Sequence, residues 1–149
     1  MALKDRAQFA AAQKAMEAYE WQKADQLFSE LLMYNAAHAE ALLHRAYSRL
    51  RLQKWDDAIR DIDAGIALRP ENGVYWMVKG EILSAKKEWI GAYEALRKAI
   101  DFEPDNARAL YFMGRCLQHL GRPLDAAEFL ERALHFDRDF VTAQSLVEA

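Results

Sequence analysis

The chain repeats itself every 34 residues, and that period restricts its fold more than any single residue does. Ala24, Ala58, Ala92 and Ala126 stand 34 apart. Four residues beyond each come Phe28, Ile62, Leu96 and Leu130; seven beyond come Leu31, Gly65, Ala99 and Ala133; eight beyond come Leu32, Ile66, Ile100 and Leu134. Twelve residues before each alanine stand Ala12, Ala46, Gly80 and Gly114, and three before stand Trp21, Trp55, Trp89 and Pro123. Pro70 and Pro104 keep the same spacing. Large, small and turn-forming residues agree on one frame through four periods without insertion or deletion.

Each period divides in two at a short polar turn. The second reads AEALLHRAYSRLRL, then QK, then WDDAIRDIDAGIALRP. Apolar residues recur at steps of three and four in both halves, the spacing of amphipathic helices. Proline cannot continue a helix, so Pro70 and Pro104 close the second helix of their repeats, while Pro123 is tolerated at a helix start. One helix pair cannot bury its apolar face alone, whereas stacked pairs share a continuous core. The expected fold is all-α: a right-handed α-solenoid with a concave and a convex side, built from about four helix-turn-helix repeats. The repeats run 5–38, 39–72, 73–106 and 107–140, and 141–149 starts a short terminal helix, all within a single domain, 1–149. With 52% hydrophobic residues, 29% charged, and only 6 Gly and 3 Pro, the chain has the composition of a helical folded protein.

Asp56, Asp57, Asp61 and Asp63 crowd into eight positions ahead of Gly65 and invite a metal or carboxylate reading. A calcium loop counted from Asp61 fails at its fifth position (Gly65), its sixth (Ile66, where glycine is needed) and its twelfth (Asn72). The frame explains Gly65 as the small residue of its repeat. Asp56 and Asp57 fall in the first turn of a helix, where negative charge suits the helix dipole and side-chain oxygens can cap. Asp61 and Asp63, set between Ile59, Ile62 and Ile66, are expected to face solvent.

Other chemistry is sparse. A formal net charge of −3 argues against nucleic acid, which calls for a basic patch. No stretch approaches 18 apolar residues, so no membrane insertion is expected, and the N-terminal MALKDRAQFAAAQKAMEAYE lacks an apolar run of signal-peptide length. A cytoplasmic location is the expectation. Cys116, the single cysteine, can form neither an internal disulfide nor a cysteine-based zinc site, and its apolar surroundings point to a buried, inert thiol. His38, His44, His119 and His135 show no metal-ligand spacing, and no glycine-rich phosphate loop is present. No cofactor, no metal and no enzymatic activity are expected.

The frame resembles the tetratricopeptide repeat, whose pattern is W-x2-L-G-x2-Y, then A-x3-F, then P over about 34 residues. The third repeat matches best, with Trp76, Gly80, Leu83, Ala92, Leu96 and Pro104, and departs with Lys79 at the leucine position. The fourth has Leu110, Met113, Gly114, Leu117, Ala126 and Leu130, with Arg138 in place of proline. The second has Leu42, Ala46, Ala58, Ile62 and Pro70, but puts Arg45 and Arg49 where leucine and tyrosine are expected. The first is weakest, with Gln8 and Ala11 at large positions.

The resemblance implies a protein-binding scaffold or adaptor without chemistry of its own, holding a peptide or helix of a partner protein in a groove lined by the first helix of each repeat. Carried over by position, the groove takes Phe9 and Gln13 from the first repeat, Leu43, His44 and Tyr47 from the second, Met77 and Glu81 from the third, and Arg108, Tyr111 and Arg115 from the fourth. Gln118 and His119 stand further along the fourth. One subclass of the family clamps carboxylate tails of chaperones with a set of lysine, asparagine and arginine residues. In one register those places hold Phe9, Gln13, His44, Val74 and Val78; in the next, Leu43, Tyr47, Val78, Arg108 and Phe112. Neither makes a clamp, so a non-clamp ligand is expected. The alternative is a self-assembling module, a homo-oligomer joined through solenoid ends that expose apolar surface.

Overall fold

The structure is a computed structural model that describes residues 3–148. Those residues form nine helices and no strand: α1 (Leu3–Glu17), α2 (Trp21–Tyr34), α3 (Ala39–Arg51), α4 (Trp55–Leu68), α5 (Gly73–Ala85), α6 (Trp89–Phe102), α7 (Ala107–His119), α8 (Pro123–Phe136) and α9 (Arg138–Glu148). Consecutive helices pack as pairs, α1 with α2, α3 with α4, α5 with α6 and α7 with α8. The fold is an all-α solenoid of helix-turn-helix repeats. The chain divides into two compact units, Met1–Pro70 and Glu71–Ala149, and the division falls between the second and third repeats.

The turn inside every pair is built the same way. Tyr19, Gln53, Lys87 and Gly121, 34 apart, take positive φ of 59°, 61°, 64° and 75°. Each ends its helix in a left-handed residue whose N–H reaches back to a carbonyl three residues earlier. The following N–H reaches five back: Glu20 to Ala15, Glu88 to Leu83 and Arg122 to Leu117 at 2.9 Å, and Lys54 to Arg49 at 2.8 Å. This pair of bonds satisfies carbonyls that the helix end leaves orphaned. Glycine takes that conformation without strain, yet only the fourth turn has one.

The turn between pairs carries a second repeated device. Asn72 Oδ1 accepts the N–H of Val74 at 3.0 Å, and Asn106 Oδ1 that of Ala109 at 3.1 Å. In the same place His38 Nδ1 accepts the N–H of Ala41 at 3.1 Å, so an imidazole does the capping work of an asparagine. The start of α4 differs from expectation: its N-cap residue, Lys54, makes no side-chain cap, and Asp57 pairs with Arg60 instead. Asp125 likewise pairs with Arg122, at 2.7 Å.

The last turn is missing. With Arg138 where proline stands in earlier repeats, α9 starts at Arg138, three residues before the expected Val141. Asp137 alone separates it from α8, and its Oδ1 accepts the N–H of Phe140 at 3.0 Å.

Small residues set the approach of each pair. A Cβ on Gly80 would lie 2.5 Å from Leu96 Cγ, and one on Gly114 2.6 Å from Leu130 Cγ. In the first unit Ala12, Ala24, Phe28, Leu31 and Ala41 are fully buried, with Phe9, Met16, Leu27 and Leu68 against them. In the second, Leu110, Tyr111, Ala133 and Val141 form a core flanked by Phe112, Phe129, Leu130 and Phe140.

Candidate functional site

In the first unit, α1 supplies Phe9 and Gln13 and α3 supplies Leu43, His44 and Tyr47, all half-buried. Phe9 is committed to packing. Its ring lies 5.8 Å from Phe28, 5.2 Å from His38 (stacked) and 5.6 Å from His44. His44 also stacks on Phe28 at 5.8 Å. Burial holds its imidazole below the usual histidine range; Glu40 pulls it up and His38 pushes it down further. Tyr47 meets the Trp21 ring edge-on at 5.6 Å, and the Arg51 guanidinium sits over Trp21 at 5.4 Å.

Beside these residues lies a feature opposite to the expectation for Asp61. That carboxylate is only 4% exposed, not solvated. Arg45 grips it with both ends of its guanidinium, Nε to Oδ2 at 2.9 Å and Nη2 to Oδ1 at 2.6 Å. Arg49 bridges Asp61 (2.9 Å) and buried Asp25 (3.1 Å), and Lys54 reaches Asp25 at 3.3 Å. Ser29 Oγ accepts from Arg45 at 3.2 Å and donates to Asp25 at 3.3 Å. The two arginines that break the repeat pattern thus meet their counter-charges on α2 and α4. Asp63, by contrast, is exposed. The network neutralises buried charge.

In the second unit, Met77 and Tyr111 are 8% and 2% exposed, so they present little surface of their own. Tyr111 packs edge-on against Phe112 at 5.5 Å and Phe140 at 5.9 Å. Glu81 and Arg108 form a bidentate pair between α5 and α7, 3.0 Å (Nε–Oε2) and 2.7 Å (Nη2–Oε1). The Arg108 guanidinium also covers Phe112 at 5.8 Å and Phe140 at 5.5 Å. Arg115 donates to Gln118 at 3.1 Å. His119 lies flat on Trp89 at 3.9 Å.

Tyr111, Arg115 and Gln118 line one hollow of about 500 Å³, closed by Leu130 and Leu134 of α8 and by Val141, Thr142 and Ser145 of α9. Its floor is apolar and its rim carries a guanidinium, an amide and two hydroxyls. Sequence reasoning reached the α7 side and missed the α9 side. The available signal was Arg138 in the proline position, which lets α9 begin early. Cys116 is fully buried, donates its thiol to Trp89 O at 3.0 Å, and is pushed up to about 11 by burial. Among the described residues no three His, Cys, Asp or Glu side chains converge as metal ligands, and no helix is long and apolar enough to cross a membrane.

Paired helices joined by left-handed turns and repeated at 34-residue spacing define a helical-repeat module. The chain belongs to the tetratricopeptide repeat family: two models of that family match residues 43–102 and 83–149. As such it is a protein–protein interaction module. It is 27% identical over 121 residues to lipopolysaccharide assembly protein B of Escherichia coli (strain K12), a match covering 77% of this chain and 31% of that protein. The chain therefore spans about a third of that relative's length. A thermophilic TPR protein of Thermus thermophilus superposes with a TM-score of 0.82 at 21% identity, over 90% of this chain and 75% of that one. The first TPR of Spaghetti, solved with a bound HSP90 peptide, superposes with a TM-score of 0.75 at 18% identity, over 79% of this chain and 94% of that one. These likenesses show the fold.

Proposed function

We propose that this chain is a scaffold or adaptor that binds a peptide or helix of a partner protein on the first helices of its repeats. The hollow between α7, α8 and α9 carries the reading. It is large enough for one bulky apolar side chain, its floor is Leu130, Leu134 and Val141, and its rim offers Arg115, Gln118, Thr142 and Ser145 to a peptide backbone. In the first unit the half-exposed Gln13, Leu43 and Tyr47 are the corresponding contact residues. The Spaghetti structure supports a peptide as the ligand class. A non-clamp ligand fits Arg108, whose guanidinium already serves Glu81. The module works without chemistry of its own, and a cytoplasmic setting suits its free thiol.

The test is paired capture from lysate with the natural chain and with Thr142→Trp, which fills the hollow from an exposed position, both checked for equal helicity. A partner held by the first and lost by the second supports the reading; one held equally by both moves the site off the hollow. Self-assembly is the second reading, favoured by Leu146 and Val147 on α9, 73% and 81% exposed. A mass in solution that rises with concentration, and falls back to one chain in Leu146→Lys with Val147→Lys, supports it; a constant single-chain mass excludes it.

A further inference from the structure

The first helix is held with less than the first helix of any later repeat. It is rich in alanine, and the side chains it sends toward the first unit's core are Phe9, Ala12, Ala15 and Met16. Small side chains remove little apolar surface from water. Gln8 Oε1 is also buried without a hydrogen-bond partner, a desolvation cost carried by α1. Phe9 is therefore the principal anchor, and it is clasped by two histidines: the His38 ring stacks on it at 5.2 Å and the His44 ring meets it at 5.6 Å.

We propose that α1 is an acid-released helix: protonation of His38 and His44 undocks Phe9 and uncovers the α2–α3 surface beneath it. Each histidine acts by its own route. His38 Nδ1 caps α3 by accepting the Ala41 N–H at 3.1 Å. A proton on that nitrogen ends the bond and sets a positive charge at a helix N-terminus, where the dipole disfavours it. Asn72 and Asn106 do the same work in their repeats with a group that does not titrate. His44 is faced by Phe9 from α1 and Phe28 from α2, and the charged groups acting on it are Glu40 of its own helix and His38. Aromatic faces favour a cation and Glu40 does too, but burial is the largest effect and favours the neutral ring. The folded-state pKa is thus below the unfolded value of about 6.5, so His44 contributes stability fully above that pH, and the contribution is lost as pH falls through and below it. A proton on either ring adds to the repulsion on the other. The uncovered surface would hold Phe28, Leu31, Leu42 and His44, an apolar strip that α1 shields at neutral pH.

The experiment is amide hydrogen exchange of the full chain, corrected for intrinsic rates, at about pH 7.5 and about pH 5.5. The expected result is α1 amides exchanging at least about tenfold faster at the lower pH, with α5–α9 unchanged. The double variant His38→Asn with His44→Phe, which keeps a cap and a ring but removes both imidazoles, is expected to lose the acceleration. Equal α1 protection at both pH values overturns the proposal, as does an acid response that survives in the double variant or that spreads over α5–α9 as well. An NMR titration of the His44 ring in the natural chain gives a check independent of any variant. Its midpoint must coincide with the loss of α1 protection, and a midpoint elsewhere overturns the mechanism.

Discussion

Asp61 and Asp63 sit two positions apart on α4, one buried under two arginines and the other exposed. Removing Asp61 leaves Arg45 and Arg49 without their shared carboxylate. Both arginines keep part of their surface in solvent, so Asp61→Ala is expected to cost about 2–4 kcal/mol and Asp63→Ala less than about 0.5 kcal/mol, read as urea unfolding midpoints at constant slope. Equal losses would mean the buried pair adds nothing. The burial of Asp61 was half-legible in the sequence. Arg45 and Arg49 stand out against the repeat as charges at apolar positions, and buried charges need partners. Local spacing nevertheless sent Asp61 outward, because helical periodicity ranks faces by hydrophobicity and is blind to a carboxylate drawn inward by arginines on a neighbouring helix. Cys116 behaved as its surroundings predicted. Because burial raises its pKa to about 11, a disulfide reagent at mildly alkaline pH is expected to leave it unlabelled until denaturant is added.

At the scale of helices and turns, the 34-residue frame carried almost everything: eight helices begin and end where it places them, within a residue or two. The left-handed turn residues show what repetition alone does not optimise. Gln53→Gly and Lys87→Gly are each expected to raise stability by about 1 kcal/mol, and Gly121→Ala to lower it by a similar amount, measured as shifts in thermal midpoint. The opposite sign holds inside the helices. Gly80→Ala and Gly114→Ala drive a methyl group into Leu96 and Leu130 and are expected to cost about 1–3 kcal/mol each. Neutral outcomes there would mean the leucines swing aside freely. Burial within the first helices was less legible than their boundaries. Positions assigned to a groove by analogy include Met77 and Tyr111, whose exposure depends on how neighbouring helices lean, and that lean is not written in any one helix.

At the scale of the chain, helical repeats interact chiefly with their neighbours, so damage stays near its origin. Asp61→Ala is expected to lower hydrogen-exchange protection in α2, α3 and α4 while α5–α9 keep theirs; uniform loss would mean the two units open as one. The single-residue link at Asp137 has a consequence for anyone who would extend this protein by design. Three residues turn an α-helix by about 300°, so α9 points Val141 at the core where the repeat pattern would have aimed Gln144. A consensus module spliced on by counting in thirty-fours from α7 would arrive about 60° out of phase and about 4.5 Å displaced along its axis, its apolar stripe turned partly off the core. Restoring a four-residue connector with proline at position 138 is the edit that would bring an added module back into phase.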